Sequence, residues 1–364
     1  MADRAVAEVI LAWAGPLARH RDRHAFTGAL PPPPVTGTRL LHARRNEALV
    51  PLPSVPAGLR AGRWYPNRML GPRRIAIPGT APGFRLSLDP AGRPLADFNH
   101  PLAGVPVTVS HRGFPAAPAG AGFGAGHPDL ALMAAAGGPG LQAAPGSGGV
   151  DYGSDMGRDD EDDDGAFYAR PRPVDHLDAE ALRGLREVHG RLLRPGTRIL
   201  DLMASWNSHL PDLDLEVDGL GMNAEELAAN PRLGRRVVQD LNRCPALPWG
   251  DAAFDAVLCS LSIEYLCEPR TVVREAARVL KPGGLFVASF SGRWFPPKVT
   301  RLWLDLQPFE RMGWVLGLLA GSGAFAALQA ETRRGWPRPA GDRHIGTTPL
   351  SDPLFVSWGL RSPA

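Results

Sequence analysis

From about Phe167 onward, runs with strand spacing alternate with runs of helical spacing, and this alternation constrains the fold more than any other feature of the chain. Strands joined through helices run parallel, and a parallel sheet is covered on both faces, so this part must fold as stacked β-α units. "RILDLMAS", "LEVDGLGM", "RRVVQDL", "AFDAVLCS" and "LFVASFS" read as five strands in order. "HLDAEALRGLREVHGRLL", "NAEELAAN" and "RTVVREAARVL" read as helices; Asp178 is placed to cap the first, and Pro282 and Gly283 stop the third. Beyond a further helical run, "ERMGWVLGLLAG", the segments "ALQAETRRG" and "PLFVSWGLR" are spaced to pair as a closing antiparallel hairpin.

The rest of the 364 residues divides by composition. Residues 1–35 are expected to form an amphipathic helix over roughly 2–14 and then a Pro-rich linker. Residues 36–112 carry strand-like pieces, "RRIAIPG", "FRLSLDPAGRPLADF" and "VPVTVSHR", and read as a small β-rich domain. Residues 113–165 are dominated by Gly, Ala and Pro and end in "RDDEDDDG". Such a segment buries too little apolar surface to offset its ordering entropy, so it reads as a disordered linker before a domain spanning 166–364. The acidic run lacks the spaced ligands and turn glycine of a calcium loop, and no metal site is expected.

A formal charge of +3 is too small to point to nucleic acid, and no apolar run is long enough to cross a membrane. Three cysteines, Cys244, Cys259 and Cys267, match neither a disulfide framework nor a zinc spacing, which favours a reducing compartment. The Arg-rich, acid-poor N-terminus leaves two expectations open, cytoplasmic or organellar.

The turn after the first strand, "LDLMASWNSHLP", poses the functional question. A turn that wraps a cofactor at this place is usually glycine-rich, because only glycine lets backbone and ligand approach closely. Here Ser205, Trp206, Asn207 and Ser208 stand where glycines would be expected.

The order of the strands, together with "LPWGDAAFDAVLCSLSIEYLCEPRTVVREAARVLKPGGLFVASFS" (247–291), resembles the class I S-adenosylmethionine-dependent methyltransferases of the broad type 11 group. The likeness covers roughly residues 170–361. It implies a Rossmann-like α/β domain with the cofactor across the carboxyl ends of strands one to four. By the same resemblance, Asp201 holds the methionine end and the backbone from Ala204 through Ser205 to Asn207 lines it. Asp240 reads the adenine amino group, Leu241 packs on the ring, and Ser260 faces the methionine. Gly221 stands where the family carries the acid that grips the ribose hydroxyls; Asn223 or Asp218 is the available substitute. Tyr265 and Glu264 after strand four, and Arg293, Trp294 and Lys298 after strand five, lie where an acceptor would be met, and Tyr265 and Arg293 are assigned to it. His176 and His209 read as ordinary capping or loop histidines. Methyl transfer to a nucleophilic atom needs mainly alignment, so no catalytic triad is required.

"PLADFNHPLAG" followed by "VPVTVS" resembles the closing region of SlyD-type FKBP prolyl isomerases, over roughly Phe84 to Ser110. The implied fragment is too short for a complete isomerase; positioning a substrate and packing on the second domain are its two readings, and His100 is a turn residue. The expected function is therefore methyl transfer from S-adenosylmethionine to a small-molecule acceptor. A methyltransferase-fold scaffold that binds a protein partner, through the N-terminal half among other surfaces, is the alternative. Gly221 and the missing glycines favour the scaffold; Asp201 and Asp240 favour the enzyme.

Overall fold

The computed structural model describes residues 7–14, 17–26, 39–42, 49–70, 83–99, 106–112 and 150–363. The strands of the N-terminal part are β1 (Ala7–Ala14), β2 (Arg19–Phe26), β3 (Arg39–His42), β4 (Leu49–Pro51), β5 (Trp64–Pro66), β6 (Gly83–Leu88), β7 (Pro94–Asp97) and β8 (Pro106–Arg112). The C-terminal part runs α1 (Asp164–Tyr168), α2 (Ala179–Leu192), β9 (Thr197–Leu202), β10 (Leu215–Gly221), α3 (Ala224–Ala229), β11 (Leu233–Val238) and β12 (Phe254–Ser260). It continues with α4 (Pro269–Val279), β13 (Leu280–Ser291), α5 (Arg301–Asp305), α6 (Pro308–Gly321), β14 (Phe325–Arg334) and β15 (Leu354–Arg361).

The five expected strands are β9 to β13, mutually parallel in the order β11-β10-β9-β12-β13. β15 and β14 follow as the antiparallel closing pair. This is a doubly wound α/β layer structure, with the order reversing between β9 and β12. Alternation along the strands splits the core into two layers. Ile199, Ala256, Leu258 and Val287 pack with Leu182, Leu185 and Val188 of α2 on one face. Leu200, Val257, Cys259 and Phe286 pack with α4 and α6 on the other. Asp178 caps α2 as expected, accepting from the backbone of Glu180 and Ala181, and also holds Ser351 and Asp352.

Three sequence expectations need correction. The amphipathic helix of residues 2–14 is a strand, β1, antiparallel to β2 and β8. A short apolar run does not distinguish helix from strand by period alone, and here a neighbouring sheet supplies the hydrogen bonds. The region 36–112 is not one self-contained β domain. β4 to β7 form their own four-stranded sheet around Phe84, Leu86 and Ala96, whereas β3 and β8 join β1 and β2 in the main sheet. β2 lies parallel to β14, which makes one sheet of 11 strands through both halves. The turn at His100 to Val105 lies outside the described residues, as do 113–149 of the expected linker.

The third correction concerns the acidic run, which is docked on the second half rather than disordered. Arg158 donates to both oxygens of Asp164 at 2.8 and 2.7 Å. Lys298, with its side chain 0% exposed, donates to the carbonyl of Asp162 at 2.8 Å and pairs with Asp164 and Asp160 at 3.1 Å each. The cations needed to neutralise the run are thus supplied in part by Lys298, 136 residues after Asp162, which composition alone does not reveal. Among the described residues no helix is long and apolar enough to cross a membrane, and no group of His, Cys, Asp and Glu is arranged to hold a metal.

Candidate functional site

A cavity of about 330 Å³ opens outside the carboxyl ends of β9, β10, β11 and β12, at the point where the strand order reverses. Open α/β sheets place their ligands there, and this size falls within the ~300–1,000 Å³ common for small-molecule sites. Its floor is the turn after β9. Met203 and His209 adopt positive φ (57° and 52°), so two ordinary residues take the left-handed positions that glycine would fill. Each such residue costs ~1–2 kcal/mol, and local bonds offset it. Ala204 donates its N–H to the Leu220 carbonyl at 2.7 Å, and His209 donates to Asn207 Oδ1 at 3.0 Å. Asn230, fully buried, donates to the Ser205 carbonyl and to Ser208 Oγ at 2.8 and 2.9 Å.

Gly221 lies against this turn. A Cβ there would overlap the carbonyl oxygen of Ala204, so the close approach of turn and strand excludes any side chain. The missing acid and the glycine-free turn are therefore one structural solution.

Three carboxylates stand along the strand ends. Asp201 is buried, and burial pushes its carboxyl up to about 7 against a hydrogen bond from Ser208. Glu226, on α3, accepts from Ser205 Oγ at 2.5 Å and from the Arg172 N–H at 2.7 Å. Asp240, two residues past β11, accepts from the Asn242 N–H at 2.8 Å, and Leu241 beside it is buried. Ser260 ends β12, and Leu261 follows at positive φ, 57°, tied to Ser289.

The far end of the cavity is aromatic and basic. Tyr265, mostly buried, accepts the Phe295 N–H at 2.8 Å; burial raises its phenol well above the ordinary value, so it remains a neutral hydroxyl. Trp294, Phe295, Arg293 and Arg343 line the same end. Residues 164–176 cover one side: Asn223 donates to the carbonyls of Tyr168 and Ala169 at 2.8 and 3.0 Å, and Trp206 donates to the Val174 carbonyl at 3.2 Å.

Tyr265, Arg293, Asp201, Ala204, Ser205, Asn207, Gly221, Asn223, Asp240, Leu241 and Ser260 all line this one cavity. The structure qualifies several of them. Both amide hydrogens of Asn223 are donated to backbone and its oxygen caps α3, accepting from Glu225 and Glu226. It is therefore a brace rather than a free donor. Asp218 is absent from the lining and holds Trp249 Nε1 at 2.9 Å. Glu264 and Lys298 lie behind the wall, and Trp206 braces the cover; none of the three lines the cavity. His176 and His209 do line it, and burial lowers both imidazoles, His209 to about 4. Sequence reasoning did not single out Glu226, Asn230 or Arg343. The polar side chains in "NAEELAAN", within so short a helix, were the available signal for the first two.

Residues 203–288, just under a quarter of the chain, match the family described as "Methyltransferase domain". The demethylmenaquinone methyltransferase of Renibacterium salmoninarum is 35% identical over 111 residues, 28% of this chain and 45% of that protein. That of Beutenbergia cavernae is 39% identical over 106 residues, 27% of this chain and 42% of that protein. The chain thus spans less than half the length of these relatives. Among solved structures, the [4+2]-cyclase SpnF is 18% identical with a TM-score of 0.37, over 53% of this chain and 89% of that one. An S-adenosylmethionine-dependent methyltransferase of Thermotoga maritima, described as a possible histamine N-methyltransferase, is 16% identical with a TM-score of 0.37, over 50% of this chain and 92% of that one.

Proposed function

We propose that this chain, whose C-terminal half carries a class I methyltransferase domain, binds S-adenosylmethionine in the cavity at the strand ends and methylates a small-molecule acceptor. The observation that carries the reading is the placement of Asp201, Glu226 and Asp240 around one cavity at the switch point, Glu226 and Asp240 inside the segment that matches the methyltransferase family and Asp201 just before it.

The residues present fit such a cofactor. Asp201 is a buried carboxyl with a raised pKa that accepts a hydrogen bond from the Ser208 hydroxyl, which makes it a natural partner for a cationic group. Asp240 and Leu241 offer an acceptor and an apolar surface side by side, suited to an adenine edge and face. With Gly221 closed to a side chain, Glu226 is the carboxylate of that wall available to ribose hydroxyls. When bound, the cofactor supplies a methyl group on a sulfonium, already activated for displacement. The protein's own part is alignment and exclusion of water. Residues 164–176 cover the site, the neutral Tyr265 hydroxyl donates to an acceptor oxygen or nitrogen, and Arg293 and the aromatic side chains position the rest of it.

The relatives named demethylmenaquinone methyltransferase match over 28% of this chain or less, so the acceptor of this chain is taken from its own far wall, as a small molecule. Titration of S-adenosylhomocysteine by calorimetry into the wild type, Asp201→Ala and Asp240→Ala tests the reading. Micromolar binding weakened at least ~tenfold in each variant supports it, a loss of ~1.4 kcal/mol or more. No wild-type binding at millimolar ligand sinks it and leaves a methyltransferase-fold scaffold.

A further inference from the structure

We infer that the far end of the cavity is an anion-recognising acceptor subsite, built by Arg293 and Arg343 over an aromatic wall, which selects an aromatic acceptor carrying a carboxylate or phosphate. Naming the ligand an acceptor rests on the methyltransferase reading; the anion preference stands on the geometry below.

Arg293 follows β13 directly, and its N–H is fixed by Ser291 Oγ at 3.1 Å. Arg343 comes from a different element, the 335–353 excursion between β14 and β15. That excursion is stapled from inside. Arg338, buried, donates to Asp352 at 2.7 Å and to the carbonyls of Thr348 and Leu350 at 2.8 and 3.1 Å, and it pairs with Asp342 at 3.3 Å. Arg343 is therefore presented by an anchored segment rather than by a free loop.

The two guanidinium groups converge on one atom. Arg293 Nη2 lies 3.2 Å and Arg343 Nε lies 3.0 Å from His344 Nε2. A ring nitrogen facing two donors that never lose their protons must carry its lone pair, so the imidazole contributes no negative charge. Two cations are thus held together with little to neutralise them. Arg293 reaches Asp352 at 3.3 Å, but that carboxylate already serves Arg338 at 2.7 Å and the Asp178 N–H at 3.1 Å. Among the described residues Arg343 forms no ion pair with a carboxylate. Like charges placed this close are costly unless an anion joins them, and paired guanidinium forks suit planar or tetrahedral oxyanions.

The rest of the cavity agrees with this polarity. The carboxylates Asp201, Glu226 and Asp240 stand at the strand ends, Asp175 accepts from Asn207 of the turn after β9 at 3.4 Å, and Asp164 is neutralised by Arg158 and Lys298. An anion entering the cavity is repelled from the first region and drawn to the second. Trp294 and Phe295, adjoining Arg293 in sequence and lining the same space, supply flat apolar area. Arg311 lies 4.4 Å from the Trp294 ring centroid and fixes that ring from behind the cavity. Such a wall favours a flat acceptor body next to the anionic group.

The test uses the full-length protein, saturated with S-adenosylhomocysteine, and three fluorescent probes: 2-naphthoate, 2-naphthyl phosphate and the uncharged 2-naphthamide. Wild type should bind at least one of the anions ~tenfold or more tighter than the amide, with the tighter anion naming the group. Arg343→Gln, an exposed position, should lose most of that preference while its S-adenosylhomocysteine affinity stays within about twofold of wild type. Equal affinity for anions and amide overturns the inference and leaves the methyltransferase reading standing. A preference unchanged in Arg343→Gln overturns it as well. Absence of S-adenosylhomocysteine binding to wild type instead overturns the methyltransferase reading, and with it the assignment of this subsite to an acceptor.

Discussion

A Cβ on Gly221 would meet the carbonyl of Ala204, while Asn230 holds the next carbonyl of the same turn from behind. Restoring the acid that the resemblance expects should therefore injure the site rather than improve it. Gly221→Asp is expected to cost ~1–3 kcal/mol of stability through overpacking and to weaken S-adenosylhomocysteine binding; chemical denaturation and calorimetry check both, and tighter binding would show that the turn can retreat. Asp201 makes a second prediction through its proton. Its carboxyl titrates near 7 in the fold against an ordinary 3.8, so between those values the native state keeps a proton that the unfolded chain has released. Stability from this group is full below about pH 4 and falls as pH rises towards about 7. Asp201→Asn should remove that slope and gain up to ~4 kcal/mol over wild type at pH 8 in the absence of ligand. A cationic ligand needs the ionised form, so wild-type affinity for S-adenosylmethionine should rise as pH passes from 6 to 8 while the Asn variant stays flat. Unfolding curves and titrations at several pH values read both slopes, and a wild-type slope that persists in the variant assigns the proton elsewhere.

The acidic segment from Arg158 to Asp164 and helix α1 show what element-level reading missed. Strands β9 to β13 were legible because each is a short apolar run bounded by turn chemistry, and the residues that the family resemblance pointed to line one cavity at their carboxyl ends. The acidic run was not, because its meaning depends on Lys298, which lies in a separate stretch of chain and has its side chain 0% exposed under the run. A charge run looks solvated until its counter-charges are located, and one sequence does not locate them. The same holds for β1, whose partners β2 and β8 come from either side of the β4–β7 sheet. Lys298→Met would leave Asp164 with Arg158 as its remaining cation and the carbonyl of Asp162 without its donor. Breaking a buried pair this way costs ~3–5 kcal/mol. The segment 158–168 should lose amide protection in hydrogen exchange before the rest of the sheet, and the cover over the cavity should loosen with it. Uniform protection in the variant would show that the segment is held by other contacts.

The two halves form one sheet, so the molecule's stability cannot be divided at the composition boundary. β2 pairs with β14 in parallel from Gln329↔Arg19 to Arg334↔His24, and each half supplies charges that the other buries. Arg23 sits between Glu8 at 2.5 Å and Glu187 at 2.8 Å, with Glu331 at 3.6 Å. Arg63, from the small sheet, grips Glu310 of α6 with two bonds of 3.0 and 2.9 Å and Asp305 with a third of 2.5 Å. Glu310 is 2% exposed, and no other ion pair to it is found among the described residues. Removing one member of a buried pair costs ~3–5 kcal/mol, against a total of ~5–15 kcal/mol for a typical domain. Truncation to residues 150–364 removes Arg63 and Arg23 together and exposes β14 as an unpaired edge, which invites association with other chains. The truncated chain should therefore be insoluble or lack a cooperative thermal transition. Arg63→Ala in the full chain should still fold but melt several degrees lower, since ~1 kcal/mol moves the midpoint by ~2–4 °C at ~150–250 residues and by less in a longer chain. If residues 150–364 instead melt within a few degrees of the full chain and bind S-adenosylhomocysteine as tightly, the N-terminal strands are an attachment to the sheet and not part of what holds it together.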